Sequence, residues 1–134
     1  LTKNEKNDSR DRLLYCINTA LQRKPKNLVV MKVKALSSFA DYFIICGGTS
    51  DRQVKAIASW LQENLKKAGM TCLGIEGMQL GHWVLMDYGD IVIHVFYEPV
   101  RDFYDIERLW SEAPKMSVDD NATEIKALEE GMAD

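Results

Sequence analysis

Apolar and polar positions alternate along this chain in two distinct rhythms. In "RLLYCINTALQRK", Leu13, Leu14, Ile17 and Leu21 recur at helical spacing, and Pro25 ends the run. "NLVVMKV" is β-branched and apolar and reads as a strand. "DYFIICGG" is apolar at consecutive positions, as expected of a central strand covered on both faces. "GGTSDRQVKAIASWLQENLKKAG" returns to the helical period. There Ser50 is placed to cap, Gln53 completes a capping box, and Val54, Ile57, Ala58, Leu61, Leu65 and Ala68 form the apolar stripe. Lys66 and Lys67 suit the negative end of the helix dipole, and Gly69 ends the helix. "TCLGIEG", "HWVLMD" and "DIVIHVFY" read as three further strands, the last two joined at Tyr88-Gly89. After Pro99, "RDFYDIERLWSEA" sets Phe103, Ile106, Leu109 and Trp110 on one face of a third helix, closed by Pro114. The order α, β, β, α, β, β, β, α predicts an α/β fold. It is a three-layer sandwich in which helices flank a mixed sheet of about five strands.

Length and composition narrow this only slightly. The chain of 134 residues suffices for one domain with a real core, and 46% hydrophobic with 28% charged residues is ordinary for a globular protein. Residues 1–9 are expected to be flexible, 10–112 to form the folded body, and 113–134 to be an acidic, mobile tail with at most one short helix. Charge follows that division. The tail holds two lysines against six acids, a net −4, so the total of −3 leaves the body at +1. A nearly neutral body is a poor match for gripping nucleic acid by its phosphates. No apolar run is long enough to suggest a membrane span, and "LTKNEKNDSRDR" has the features of neither a secretory signal nor a transit peptide. Cys16, Cys46 and Cys72, odd in number and unpaired in spacing, point to buried thiols in a reducing cytoplasm.

The stretch "GHWVLMDYGDIVIHVF" concentrates two histidines, two aspartates and a tryptophan. Pairing Asp87 with Asp90 across the turn sets Trp83 opposite His94. It then puts Trp83, Leu85, Val92 and His94 on one face and His82 on the other. In that register the histidines cannot chelate one ion, and no metal-binding motif occurs elsewhere. Aspartates flanking a tight turn are explained by bonds to nearby backbone amides. Trp83 has two readings: a core ring or, since its strand starts directly after the loop "GMQLG", a ring at a sheet end available to an interface.

"ICGGTSDRQVKAI" runs strand, glycine turn, helix, an arrangement that can bind an anion. Its spacing is neither that of a P-loop nor G-x-G-x-x-G. It is closer to the Gly-Ser loop of nucleotidyltransferases, whose metal-binding aspartate pair would lie about ten residues on. Here that region reads "IASWLQ", and two-metal phosphoryl chemistry lacks its converging carboxylates. A metal-dependent nucleotidyltransferase using some other set of acids is the remaining enzymatic alternative.

Three segments, "SSFADYFIICGGTSDRQVKAIA", "IEGMQLGHWVLMDYGDIVIHVF" and "VRDFYDIERLW", occur in an order and spacing that resemble the ribosomal silencing factors, or Iojap-like family. The resemblance covers about residues 10–112 and stops before the tail. It implies a degenerate nucleotidyltransferase-like sandwich without enzymatic activity, cofactor or metal. It further implies a cytoplasmic protein, often homodimeric, that binds the large ribosomal subunit through ribosomal protein fourteen. There it would block joining of the small subunit when nutrients are short. Organelle relatives are tied to large-subunit assembly. Within that frame the candidate partner-binding residues are Trp83, Tyr88, Asp90 and His94 in the hairpin, with Arg101 and Tyr104 on the last helix.

Overall fold

Residues 9–133 are described by the structure, a computed structural model, and they form one six-stranded mixed sheet with helices on both faces. The elements in chain order are α1 (Ser9–Leu21), β1 (Lys26–Lys32), β2 (Tyr42–Gly48), α2 (Asp51–Lys67), β3 (Gly74–Glu76), β4 (Trp83–Asp87), β5 (Ile91–Tyr97), α3 (Glu98–Tyr104), α4 (Ile106–Leu109) and β6 (Lys115–Ser117). The strand order is β3-β4-β5-β2-β1-β6, antiparallel except for the central β2–β5 pair. That parallel pair requires a crossover, which α2, β3 and β4 supply. Apart from Ser9, which opens α1, the expectation of a flexible start lies outside the described residues.

The helical stripe of α2 is buried as its period requires, except Ala68, which is exposed at the C-cap. Ser50 Oγ accepts from Gln53 N at 3.1 Å, while Gln53 Oε1 reaches past the cap to accept from Thr49 N at 2.7 Å, a variant of the expected capping box. Helices α1 and α2 bury one sheet face, where Leu13, Ile17, Ile57 and Leu61 meet Ile44, Val84, Ile93 and Val95. The opposite face carries Val29, Met31, Ile45 and Phe96, which cluster with Ile106 of α4, Val33, Ala40 and Ala113, with Val100 of α3 and Trp110 packed against them. Strand β2 contributes to both cores, as its uninterrupted apolar run implies.

Three expectations need correction. The hairpin pairs Asp87 with Val92 and Trp83 with Phe96, a register two residues from the predicted one. Its loop is Gly89–Asp90, because Gly89 at φ +90 supplies the left-handed first central residue of a II′-type turn. A slip of two preserves the period, so every side chain keeps its predicted face. The last helix is two: Asp105, at φ 45 and ψ 52, breaks it between Tyr104 and Ile106. Pro99 lies inside the first turn of α3, where its missing N–H is not needed. The break leaves Ile106 buried but turns Phe103 and Leu109 out to solvent, 79% and 78% exposed.

The third correction is the tail. Residues 113–134 contain no helix among those described. They add β6 to the edge of β1 and pack Met116, Val118 and Met132 into the core on the α1–α2 side. Body side chains hold this strap by its backbone. Asn18 Nδ2 donates to Ile125 O at 3.0 Å and its Oδ1 accepts from Ile125 N at 2.8 Å, while Tyr42 Oη donates to Met132 O at 2.6 Å. Acidic composition hid this, since few apolar anchors suffice when polar bonds from the body supply the rest.

Candidate functional site

The sheet face opposite α1 and α2 presents a continuous row of rings. Register sets Trp83 beside Phe96, Leu85 beside His94 and Ile45 beside His94, and alternation turns these side chains, with Phe43, to the same side. Ring centroids then run from Trp110 to Phe43 at 5.1 Å, to His94 at 5.0 Å, to Trp83 at 6.1 Å, to Tyr104 at 5.1 Å and to Phe103 at 5.1 Å. Phe96 floors the row, stacked against Trp83 at 4.8 Å. Because α3 and α4 are short, Phe43, Trp83, Leu85, Val92 and Trp110 remain only half-buried.

At its Trp83 end the row opens into a groove of about 480 Å³, walled mainly by Leu80, Trp83, Pro99, Val100, Phe103 and Tyr104. Gly77, also in the wall, lies at φ +87 with the Trp83 carbonyl oxygen where a Cβ would sit, so only glycine permits this close approach. Leu80 and Phe103 are 67% and 79% exposed, and such large apolar side chains grouped at one concave place mark an interaction surface.

Beneath the row, Trp83 Nε1–H donates to His94 Nδ1 at 3.2 Å. An accepting Nδ1 places the imidazole proton on Nε2, which is buried with no hydrogen-bond partner among the described residues. Burial pushes the His94 pKa down to about 4, so the ring is neutral at neutral pH. It acts as an acceptor that fixes the indole.

The structure brings together only part of the predicted set. Trp83 and Tyr104 meet in the groove, with His94 underneath. Tyr88 faces the other core and is 4% exposed, and burial raises its phenol pKa. Asp90 is tied to α1 by an ion pair with Arg12 and a bond from Ser9 Oγ at 3.3 Å, so it joins the hairpin to that helix. Asp87 holds its own turn, its Oδ1 accepting from Gly89 N at 2.8 Å. Arg101, a candidate partner contact, is only 7% exposed and held by Glu107 at 2.8 Å and Glu98 at 3.4 Å. Sequence reasoning missed Leu80, Phe43 and the outward turn of Phe103. A large apolar residue inside the loop "GMQLG" was the one available signal for the first.

The glycine turn is occupied from within. Gly47 and Gly48 are buried at the end of β2, and the Glu98 carboxylate fills the space beside Gly47. A phosphate approaching there would meet a like charge. Among the described residues no three His, Cys, Asp or Glu side chains converge as metal ligands. Burial drives the Cys16 and Cys46 thiols up to about 12, so neither is a ready nucleophile. No helix among the described residues is long and apolar enough to cross a membrane.

Comparison with known proteins fits this arrangement. The family model described as "Ribosomal silencing factor during starvation" matches residues 6–133, so the match includes the strap that the sequence resemblance left out. A ribosomal silencing factor from Halalkalibacterium halodurans is 36% identical over 107 residues, covering 80% of this chain and 92% of that one. The mouse protein named "Mitochondrial assembly of ribosomal large subunit protein 1" is 31% identical, covering 79% of this chain and 46% of its own length. A crystal structure of a Chromobacterium violaceum protein superposes with a TM-score of 0.74 at 38% identity, covering 84% of this chain and 95% of that one. The chain therefore belongs to the ribosomal silencing factor family.

Proposed function

We propose that this protein binds the large ribosomal subunit through ribosomal protein fourteen and keeps the small subunit from joining, so that translation falls when nutrients are limited. The observation that carries this reading is the half-buried row of rings ending in the Trp83 groove, on the sheet face its helices leave thinly covered. Aromatic side chains held rigid by their neighbours can bury much apolar area at little entropic cost, which is how a few residues come to dominate an interface. No reaction is needed. A 15.3 kDa body seated on a joining surface excludes the other subunit by overlap. It needs only a sub-micromolar Kd, about −8 to −10 kcal/mol. The free protein is a cytoplasmic homodimer in this reading, works without cofactor or metal, and touches ribosomal RNA little.

The decisive experiment mixes purified protein with large and small subunits and follows joining by sedimentation. Co-migration with the large subunit and a dose-dependent loss of joined particles is the expected result. Free joining at saturating dose would refute the proposal, as would magnesium-dependent turnover of a nucleotide. A second reading, large-subunit assembly, is favoured by the name of the mouse relative. Retention on immature particles in preference to mature free subunits would select it.

A further inference from the structure

Arg101 lies on α3 between Val100 and Phe103, which wall the groove, and its contacts span the break between α3 and α4. Nε donates to Glu107 Oε2 at 2.8 Å, beyond the break, and Nη1 to Glu98 Oε2 at 3.4 Å, before it. Its carbonyl accepts from Asp105 N at 2.8 Å, so main chain and side chain close the same turn. Glu98 is itself anchored: Oε1 accepts from Asn27 Nδ2 at 3.0 Å, and its carboxylate packs against Gly47, where no side chain would fit. A single guanidinium, 7% exposed, thus ties the ends of β1 and β2 to both short helices.

The break needs holding. Asp105 sits in the left-handed region, where a side chain crowds the following carbonyl oxygen. Without it, one continuous helix would place Phe103 on the same face as Ile106, buried against the sheet. With it, Ile106 goes in and Phe103 comes out beside Tyr104, whose ring leans on Trp83 at 5.1 Å. Arginine's planar fork offers donors in fixed, well-separated directions for two carboxylates, whereas a lysine's compact ammonium lacks that pre-organised geometry.

We propose that Arg101 is a positioning residue for the docking surface: bridging Glu98 and Glu107, it holds the α3–α4 break that sets Phe103 against Tyr104 and Tyr104 against Trp83. The proposal rests on the reading of this groove as the ribosome-docking surface. It replaces direct contact as the role of Arg101, since a buried guanidinium paired to two carboxylates has little left to offer a partner.

The test reads the Trp83 indole N–H resonance and affinity for the large subunit in Arg101→Ala, Arg101→Lys and Glu107→Gln, with the Trp60 indole as internal control. Global destabilisation alone leaves the folded-state indole shift in place, so that signal separates positioning from stability. In Arg101→Ala the Trp83 resonance should move while Trp60 stays, and affinity should fall by about tenfold. Lysine should recover only part of the loss. Glu107→Gln keeps the fold safer by removing one side of the clamp, and should move the same resonance. If neither Arg101→Ala nor Glu107→Gln moves it or weakens binding, while Phe103→Ala does weaken binding, the clamp is refuted and the docking surface stands. Movement of the resonance with full binding in both Arg101→Ala and Phe103→Ala would overturn the docking surface itself, and with it the role given to Arg101.

Discussion

Trp83 is stacked on Phe96, flanked by Tyr104 and hydrogen-bonded through its indole N–H to His94, so a half-buried side chain has little freedom left to lose on binding. Trp83→Ala should cost the complex with the large subunit at least about 2 kcal/mol, roughly a thirtyfold weakening, with the far-ultraviolet spectrum unchanged. Equilibrium pelleting would measure it. His94 makes a separate prediction. Its pKa is about 4 in the folded chain against 6.5 in the unfolded one. Between those values the unfolded state binds more protons, so the contribution is fully present above pH 6.5 and is lost as pH falls towards 4. The loss amounts to about 3 kcal/mol at most. Urea denaturation across that window should show stability dropping more steeply in the parent than in His94→Asn, which still offers Trp83 an acceptor but does not titrate.

Among elements, the C-terminal strap and the broken helix departed furthest from expectation. Met132 is 2% exposed at the end of a stretch whose composition reads as solvated, and its carbonyl accepts a hydrogen bond from the Tyr42 hydroxyl. Met132→Ala should lower unfolding stability by about 2–4 kcal/mol, the usual cost of truncating a buried methionine. Subunit binding should be unaffected, because Met132 packs on the face opposite the ring row. Removing everything after Pro114 should do more. It would strip β6 from the edge of β1 and bare Val29–Met31, giving a concentration-dependent aggregate detectable by light scattering. The strap was hard to read because its anchors are three buried and three partly buried apolar residues, with several side-chain bonds to its backbone, at spacings that follow no period. The helix break was hidden for a related reason: one left-handed residue held through ion pairs of a neighbouring arginine leaves no mark on the hydrophobic period.

For the whole molecule, charge and layering point the same way. Helices α1 and α2 and the strap seal one face, leaving the other with its rings half-exposed, so one surface is available for an apolar contact. With the net charge of −3 concentrated in residues 113–134, attraction to phosphate contributes little. Raising salt from about 50 to 200 mM should change affinity for the large subunit no more than a few-fold. A protein held by six or more phosphates would lose about three orders of magnitude. Binding isotherms at the two salt concentrations distinguish these outcomes.

The order of elements through β5, the burial stripe of α2 and the face assignment of the hairpin were written in the sequence, because period and capping are local and a two-residue register slip leaves faces unchanged. The three motifs likewise carried the family, whose model the chain matches. Tertiary structure alone decided which candidate side chains meet. It buried Tyr88 in the core, tied Asp90 to α1, buried Arg101 between two carboxylates, and brought Leu80, Trp83, Phe103 and Tyr104 to one groove. The reason is distance along the chain. A side chain's exposure depends on what the fold lays over it, and those covering residues lie on other elements, where no local pattern can record them.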